Sequence, residues 1–212
     1  MKYNAVDVIK PKLYKDVFPY EEIPKIKFNN IQLPMNISDD IWITDTTFRD
    51  GQQSMTSMNT DQMVKLFGFL HELDNESGII KQTEFFLYSQ KDRNAVEECM
   101  KKGYKFPEIT SWIRASKEDF NLVKSMGIKE TGILMSCSDY HIFNKLGKTR
   151  AEAMKMYLDI AYSALENGIV PRCHFEDITR ADFYGFVVPL AKNLMEMSKD
   201  SKINVKIRAC DT

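Results

Sequence analysis

From Ile41 to the last residue, short apolar or β-branched runs alternate with stretches of helical periodicity, most of which close at a glycine. No other feature limits the fold so strongly, because strands separated by helices are joined by crossovers and so run parallel. The runs predict strands over 41–44, 83–86, 108–113, 130–136, 169–175 and 204–209. Helices are expected from a cap at Asn59 or Thr60 and over 92–102, 117–126, 149–167 and 182–197, with stops at Gly78, Gly103, Gly127 and Gly168. Met63, Leu66, Phe67 and Leu70 in the first helix, and Ala153, Met156, Tyr157, Ile160 and Ala164 in the fourth, recur at helical spacing and mark core-facing stripes. His71 falls within the first of these helices and reads as a surface or packing residue.

Two parallel architectures fit this rhythm, an open doubly wound sheet and an α/β TIM (β/α)8 barrel. An open sheet builds its site beside one switch point, whereas a barrel brings every strand end to one mouth. Reactive side chains cluster at nearly every strand: Asp45, Arg49 and Asp50 after the first, Glu84 in the second, Thr110 and Arg114 around the third. Ser136, Ser138, Asp139 and His141 follow the fourth, Arg172, His174 and Glu176 lie in or at the end of the fifth, and Asp211 and Thr212 follow the sixth. That distribution favours the barrel. The absence of a Gly-x-Gly-x-x-Gly or P-loop after the first strand argues against dinucleotide and nucleotide binding. A full barrel takes about 250 residues, so 212 residues with six strands read as an incomplete barrel, with a complete smaller fold as the alternative. Residues 1–40 form a separate region, in which Pro11, Pro19, Pro24 and Pro34 are spread among charges and aromatics. This region reads as an extended arm, expected to pack on the main domain, 41–212, or on a second subunit.

At 43% hydrophobic and 28% charged residues, the chain can bury a sizeable core. A net charge of -1 with interspersed signs leaves no electrostatic footprint for nucleic acid. Met1–Leu13 has no signal-peptide pattern and no run approaches the ~20 apolar residues of a membrane span, so a cytoplasmic location is expected. Cys99, Cys137, Cys173 and Cys210 are too scattered for a disulfide framework or a cysteine zinc site and read as reduced core thiols.

The densest chemistry lies in residues 44–53, Thr-Asp-Thr-Thr-Phe-Arg-Asp-Gly-Gln-Gln, directly after the Ile41-Trp42-Ile43 run, which reads as a buried strand. Asp50 offers hard oxygen for a divalent metal, Arg49 a permanent cation for an oxyanion, and Gly51 the freedom to turn sharply. The competing reading is an ordinary Asp-Gly turn beside a solvated Arg-Asp pair.

Asp45-Thr46-Thr47-Phe48-Arg49-Asp50-Gly51-Gln52-Gln53 resembles the first-strand signature of the metal-dependent family that includes isopropylmalate, homocitrate, citramalate and Re-type citrate synthases. Hydroxymethylglutaryl-CoA lyase and the carboxyltransferase domain of pyruvate carboxylase are its more distant relatives. Trp112-Ile113-Arg114-Ala115, Ser138-Asp139-Tyr140-His141, the stretch Arg172 to Asp182, and Cys210-Asp211-Thr212 are similar to its third to sixth strand motifs, in order. The resemblance implies a divalent-metal-dependent Claisen condensation of acetyl-CoA with a 2-oxo acid, on Mg2+, Mn2+ or Zn2+, by a homodimer. It implies Asp50 as a metal ligand, Arg49 as the cation beside the keto oxygen and Gln53 as a holder of enolate or substrate. Glu176 would contact substrate or a metal-bound water, His141 and His174 would lie near substrate, and Thr212 would bind the α-carboxylate. The family's paired His-x-His ligands on strand seven have no counterpart here, where the histidines are His71, His141 and His174.

Arg172 stands where isopropylmalate synthases carry a carboxylate and homocitrate synthases an arginine, which implies a dicarboxylic keto acid, oxaloacetate or 2-oxoglutarate, with citrate or homocitrate as product. Alternatively, Arg172 pairs with a neighbouring acid. Two departures from the family pattern alter pocket shape: His174 replaces a small hydroxyl, and Glu84-Phe85-Phe86 replaces a small residue and glycine. Isopropylmalate or citramalate synthesis, a lyase or carboxyltransferase reaction, and a non-catalytic fragment remain the alternatives.

Overall fold

The computed structural model describes residues 27–28, 31–32, 39–54 and 56–212, and the chain divides into two units between Ile41 and Trp42. In the first unit Lys27–Phe28 pairs antiparallel with Ile31–Gln32. The remainder of the expected arm, with Pro11, Pro19, Pro24 and Pro34, lies outside the described residues.

The second unit is a six-stranded parallel sheet in sequential order, with a helix after each of the first five strands. Its strands are β1 (Ile43–Asp45), β2 (Ile80–Phe85), β3 (Glu108–Arg114), β4 (Glu130–Ser136), β5 (Val170–Glu176) and β6 (Lys206–Cys210). The helices are α1 (Thr60–Asp74), α2 (Gln90–Met100), α3 (Lys117–Ser125), α4 (Arg150–Glu166) and α5 (Val188–Ser201). Helix starts follow local chemistry: Asn59, Ser89 and Thr149 each close a reciprocal capping box with the residue three positions on. Gly78, Gly103, Gly127 and Gly168 all sit at positive φ, where the loops after α1 to α4 need a residue without a Cβ. His71 packs as expected, stacked on Tyr104 at 3.7 Å with Nδ1 2.7 Å from the Phe106 carbonyl oxygen.

Alternation along the strands sorts the two faces. Phe85, Ile113, Ile133, Met135, Cys173 and Phe175 face outward into the main apolar core against the helices. Glu84, Trp112, Arg172, His174 and Arg208 face inward, where their side chains meet one another. The sheet is strongly curved: Arg208 on β6 donates to Thr44 Oγ1 on β1 at 3.2 Å, although these are the two edge strands. In a flat sheet they would lie roughly 24 Å apart, at ~4.8 Å per strand. Such curvature is that of a half-barrel and excludes the open doubly wound sheet.

The 41–43 run is not the buried strand expected. Ile41, Trp42 and Ile43 are exposed, because β1 begins only at Ile43 and pairs with β2 alone among the described residues. Lys81 Nζ lies 5.4 Å from the Trp42 ring centroid. β2 starts earlier than expected, at Ile80, and a short helical turn, Phe183–Val187, precedes α5. All four cysteines are free thiols; Cys99, Cys137 and Cys173 are buried.

Candidate active site at the carboxyl ends of the strands

The turn Thr47–Gly51 after β1 is fixed from both ends. Asp45 accepts hydrogen bonds from Thr47 Oγ1 and Thr83 Oγ1, both at 2.6 Å, and Phe48, fully buried, stacks on Phe85 with ring centroids 4.4 Å apart. Between these anchors the turn displays Arg49 and Asp50. Arg49 donates through Nε to Glu84 Oε2 (2.7 Å) and through Nη1 to Asp50 Oδ1 (2.8 Å), and its guanidinium lies over the Trp112 ring at 5.2 Å. Asp50 is half exposed at the mouth, whereas Gln53, in the same loop, is exposed and outside these contacts.

A second cluster forms where β4 and β5 end. Glu176 accepts from Ser136 Oγ, from Lys145 Nζ at 3.1 Å and from His141 Nδ1 at 3.0 Å. Because a carboxylate only accepts, the proton of this bond is carried by His141 Nδ1. Burial pushes the Glu176 carboxyl up, but the hydrogen bonds from Ser136 and Lys145 and the Lys145 charge outweigh it and hold the group below its ordinary range. Thr212 Oγ1 accepts the Asp177 backbone N–H at 3.0 Å, which leaves its own hydroxyl proton to donate.

Between the clusters lies a charged interior. Glu84, fully buried, accepts from Arg49, from Arg172 Nη2 at 2.5 Å and from Arg208 Nη1 at 3.2 Å. Arg172 also donates to Glu130 Oε1 at 2.7 Å, to Gln82 Oε1 and to Thr110 Oγ1 at 3.3 Å; Glu130 in turn accepts from Lys206 at 2.6 Å. Burial lowers the Arg172 pKa, with Glu84 and Glu130 acting against that fall. Arg172 therefore sits not at the mouth but two positions below His174 on β5, paired with acids as its alternative reading has it. His174 is pushed down to about 2 by burial and by Arg208, Arg172 and Arg49, so its ring is neutral. Trp112 Nε1 and Arg172 Nε, both donors, lie 3.3 Å from its two ring nitrogens, and a neutral imidazole can accept at only one of them.

The geometry thus brings Arg49 and Asp50 together at one place and His141 and Glu176 at another, with His174 and Arg172 beneath. Among the described residues no group of three or more His, Cys, Asp and Glu side chains could hold a metal. Asp50 alone fits the weaker requirement of a Mg2+-type ion, which can be held by one carboxylate together with substrate oxygens and water. Sequence reasoning missed the role of Glu84 as the shared partner of three arginines, and it missed Arg208 entirely. The available signal was the alternation Lys206-Ile207-Arg208, two cations on one face of a strand.

The HMGL-like family model matches residues 40–211. The chain is 69% identical over 210 residues to a Citrate (Re)-synthase of Clostridium kluyveri, covering 99% of this chain and 46% of that protein. It is 53% identical over 211 residues to a Citrate (Re)-synthase of Syntrophus aciditrophicus, covering all of this chain and 34% of the relative. The chain therefore spans less than half the length of these two relatives. A hydroxymethylglutaryl-CoA lyase from Pseudomonas aeruginosa superposes with a TM-score of 0.63 at 15% identity, over 84% of this chain and 60% of that one, a likeness of fold. With a family model spanning β1 to β6 and both clusters at the mouth of a half-barrel, the chain belongs to the HMGL-like family.

Proposed function

We propose that the full-length protein condenses acetyl-CoA with a 2-oxo dicarboxylate, oxaloacetate before 2-oxoglutarate, and hydrolyses the resulting thioester to release citrate and free CoA. The observation that carries this reading is the Arg49 guanidinium, held between Glu84 and Asp50 and 5.2 Å from the Trp112 ring centroid, at the mouth of the half-barrel. The identity to two proteins named Citrate (Re)-synthase supports oxaloacetate as the acceptor.

Atom by atom, the acetyl methyl gives up a proton, its carbon forms a bond to the keto carbon, and the keto oxygen becomes an alkoxide that is then protonated. Water cleaves the thioester, with CoA as the leaving group. Arg49 serves the oxygen on which charge develops: Nε and Nη1 are engaged, and Nη2 remains to donate. Glu84 and Trp112 hold that guanidinium in place before substrate arrives, so little reorganisation is required. Thr212 donates its hydroxyl proton to the α-carboxylate, and Glu176 fixes the His141 ring through Nδ1. A divalent ion, Mg2+ or Mn2+, held by Asp50 would polarise the keto carbonyl when bound.

The test is thiol release by the full-length protein, with acetyl-CoA, Mn2+ and oxaloacetate. CoA should appear with stoichiometric citrate and cease on chelation; no release with oxaloacetate or any other 2-oxo acid rejects the proposal.

A further inference from the structure

We infer that Arg208, rather than Arg172, recognises the second carboxylate of the dicarboxylic keto acid; this rests on the condensation reading above. Arg172 is spent. Its side chain is 4% exposed, and both terminal guanidinium nitrogens are held, by Glu84, Glu130, Gln82 and Thr110. Moving it onto a ligand would break short ion pairs to two buried carboxylates, Glu84 and Glu130.

Arg208 is built differently. It points inward, since Nη1 reaches Glu84 Oε1 and Nη2 reaches Thr44 Oγ1, both at 3.2 Å. These are long, single contacts, and Glu84 keeps two shorter arginine partners without them. Arg208 can therefore turn its fork toward a carboxylate at small cost, and the fork is the geometry a carboxylate fits.

Its position suits that ligand. Arg49 and Arg208 are bonded to opposite oxygens of the Glu84 carboxylate, so the two guanidinium groups lie within one small molecule's length. A 2-oxo dicarboxylate with its keto oxygen at Arg49 presents its far carboxylate one to two methylenes away. Charge agrees as well. Arg49, Arg172, Lys206 and Arg208 share Glu84, Glu130 and Asp50, a surplus of one positive charge. His174, beside Arg208 in register, adds none because it is neutral.

The experiment compares KM for oxaloacetate and for pyruvate, which lacks the second carboxylate, in the full-length protein and in Arg208→Gln and Arg208→Lys. Arg208→Gln should raise KM for oxaloacetate about 100-fold while leaving KM for pyruvate and kcat for either within about threefold. Arg208→Lys should fall between, about 10-fold, because an ammonium keeps the charge but loses the fork; it also decides the matter if Arg208→Gln does not fold. An unchanged oxaloacetate KM, or equal rises for both acids, overturns the inference and leaves the condensation reading standing. An unsubstituted protein that releases CoA with neither acid overturns both.

Discussion

Glu84 organises the interior because a fully buried carboxylate must be compensated, and three guanidinium groups do so from β1's loop, β5 and β6. In the sequence it showed as a reactive group of the second strand and as a departure from a familiar pattern, but not with its partners, since the partners of a buried acid are fixed by strand register and not by neighbours in the chain. Arg49 and Asp50 were legible because they are adjacent and follow a strand. Glu176 was legible as a strand-end acid, but its attachment to Ser136, 40 residues away, was not. The consequence for pH is definite. The Glu176 pKa is depressed in the folded state, so its stabilisation is complete above its unfolded value of 4.5 and is lost as pH falls through the folded one. Urea unfolding should therefore show Glu176→Gln less stable than the parent by about 1 kcal/mol near neutral pH, the gap closing as pH falls below 4.5. A gap that does not change with pH would contradict this.

At the scale of elements, helices and strands were readable where pattern and burial coincide. β4 is buried at every position but Leu134 and its expected bounds match, while β2 begins three residues early because Lys81 and Gln82 break the apolar run that marks a buried strand. β6 begins later than expected because Ser198 holds the Ile203 carbonyl oxygen (2.9 Å) and the Val205 N–H (3.1 Å), keeping that stretch in the loop. One strand position is decided by the interior itself. A Cβ at Gly132 would meet Trp112 Cδ1 at 2.8 Å and His174 Nε2 at 3.0 Å, the two rings that wall the space beside Arg49. Gly132→Ala is predicted to destabilise by about 1–3 kcal/mol through overpacking and to shift Trp112 fluorescence. An unchanged melting temperature and an unchanged emission spectrum would show that the rings have room to spare.

At the scale of the whole molecule, the fold class was legible because alternation and strand-end chemistry converge on a barrel. What the chain alone hid was curvature, shown by the Arg208 contacts to Thr44 and Glu84, which bring β6 back toward β1 and β2. That curvature turns six strand ends into one concave mouth and gathers four cations around three carboxylates, a charged lining unlike an apolar barrel core. Among the described residues no helix is long and apolar enough to cross a membrane. The proposed condensation puts its chemistry on the turn after β1, and kcat for Arg49→Gln in the full-length protein at saturating acetyl-CoA and oxaloacetate tests this. That kcat should fall about 10²–10³-fold, the size expected for losing one preorganised oxyanion donor, with KM for acetyl-CoA and the circular dichroism spectrum unchanged. A kcat within twofold of the parent would contradict it.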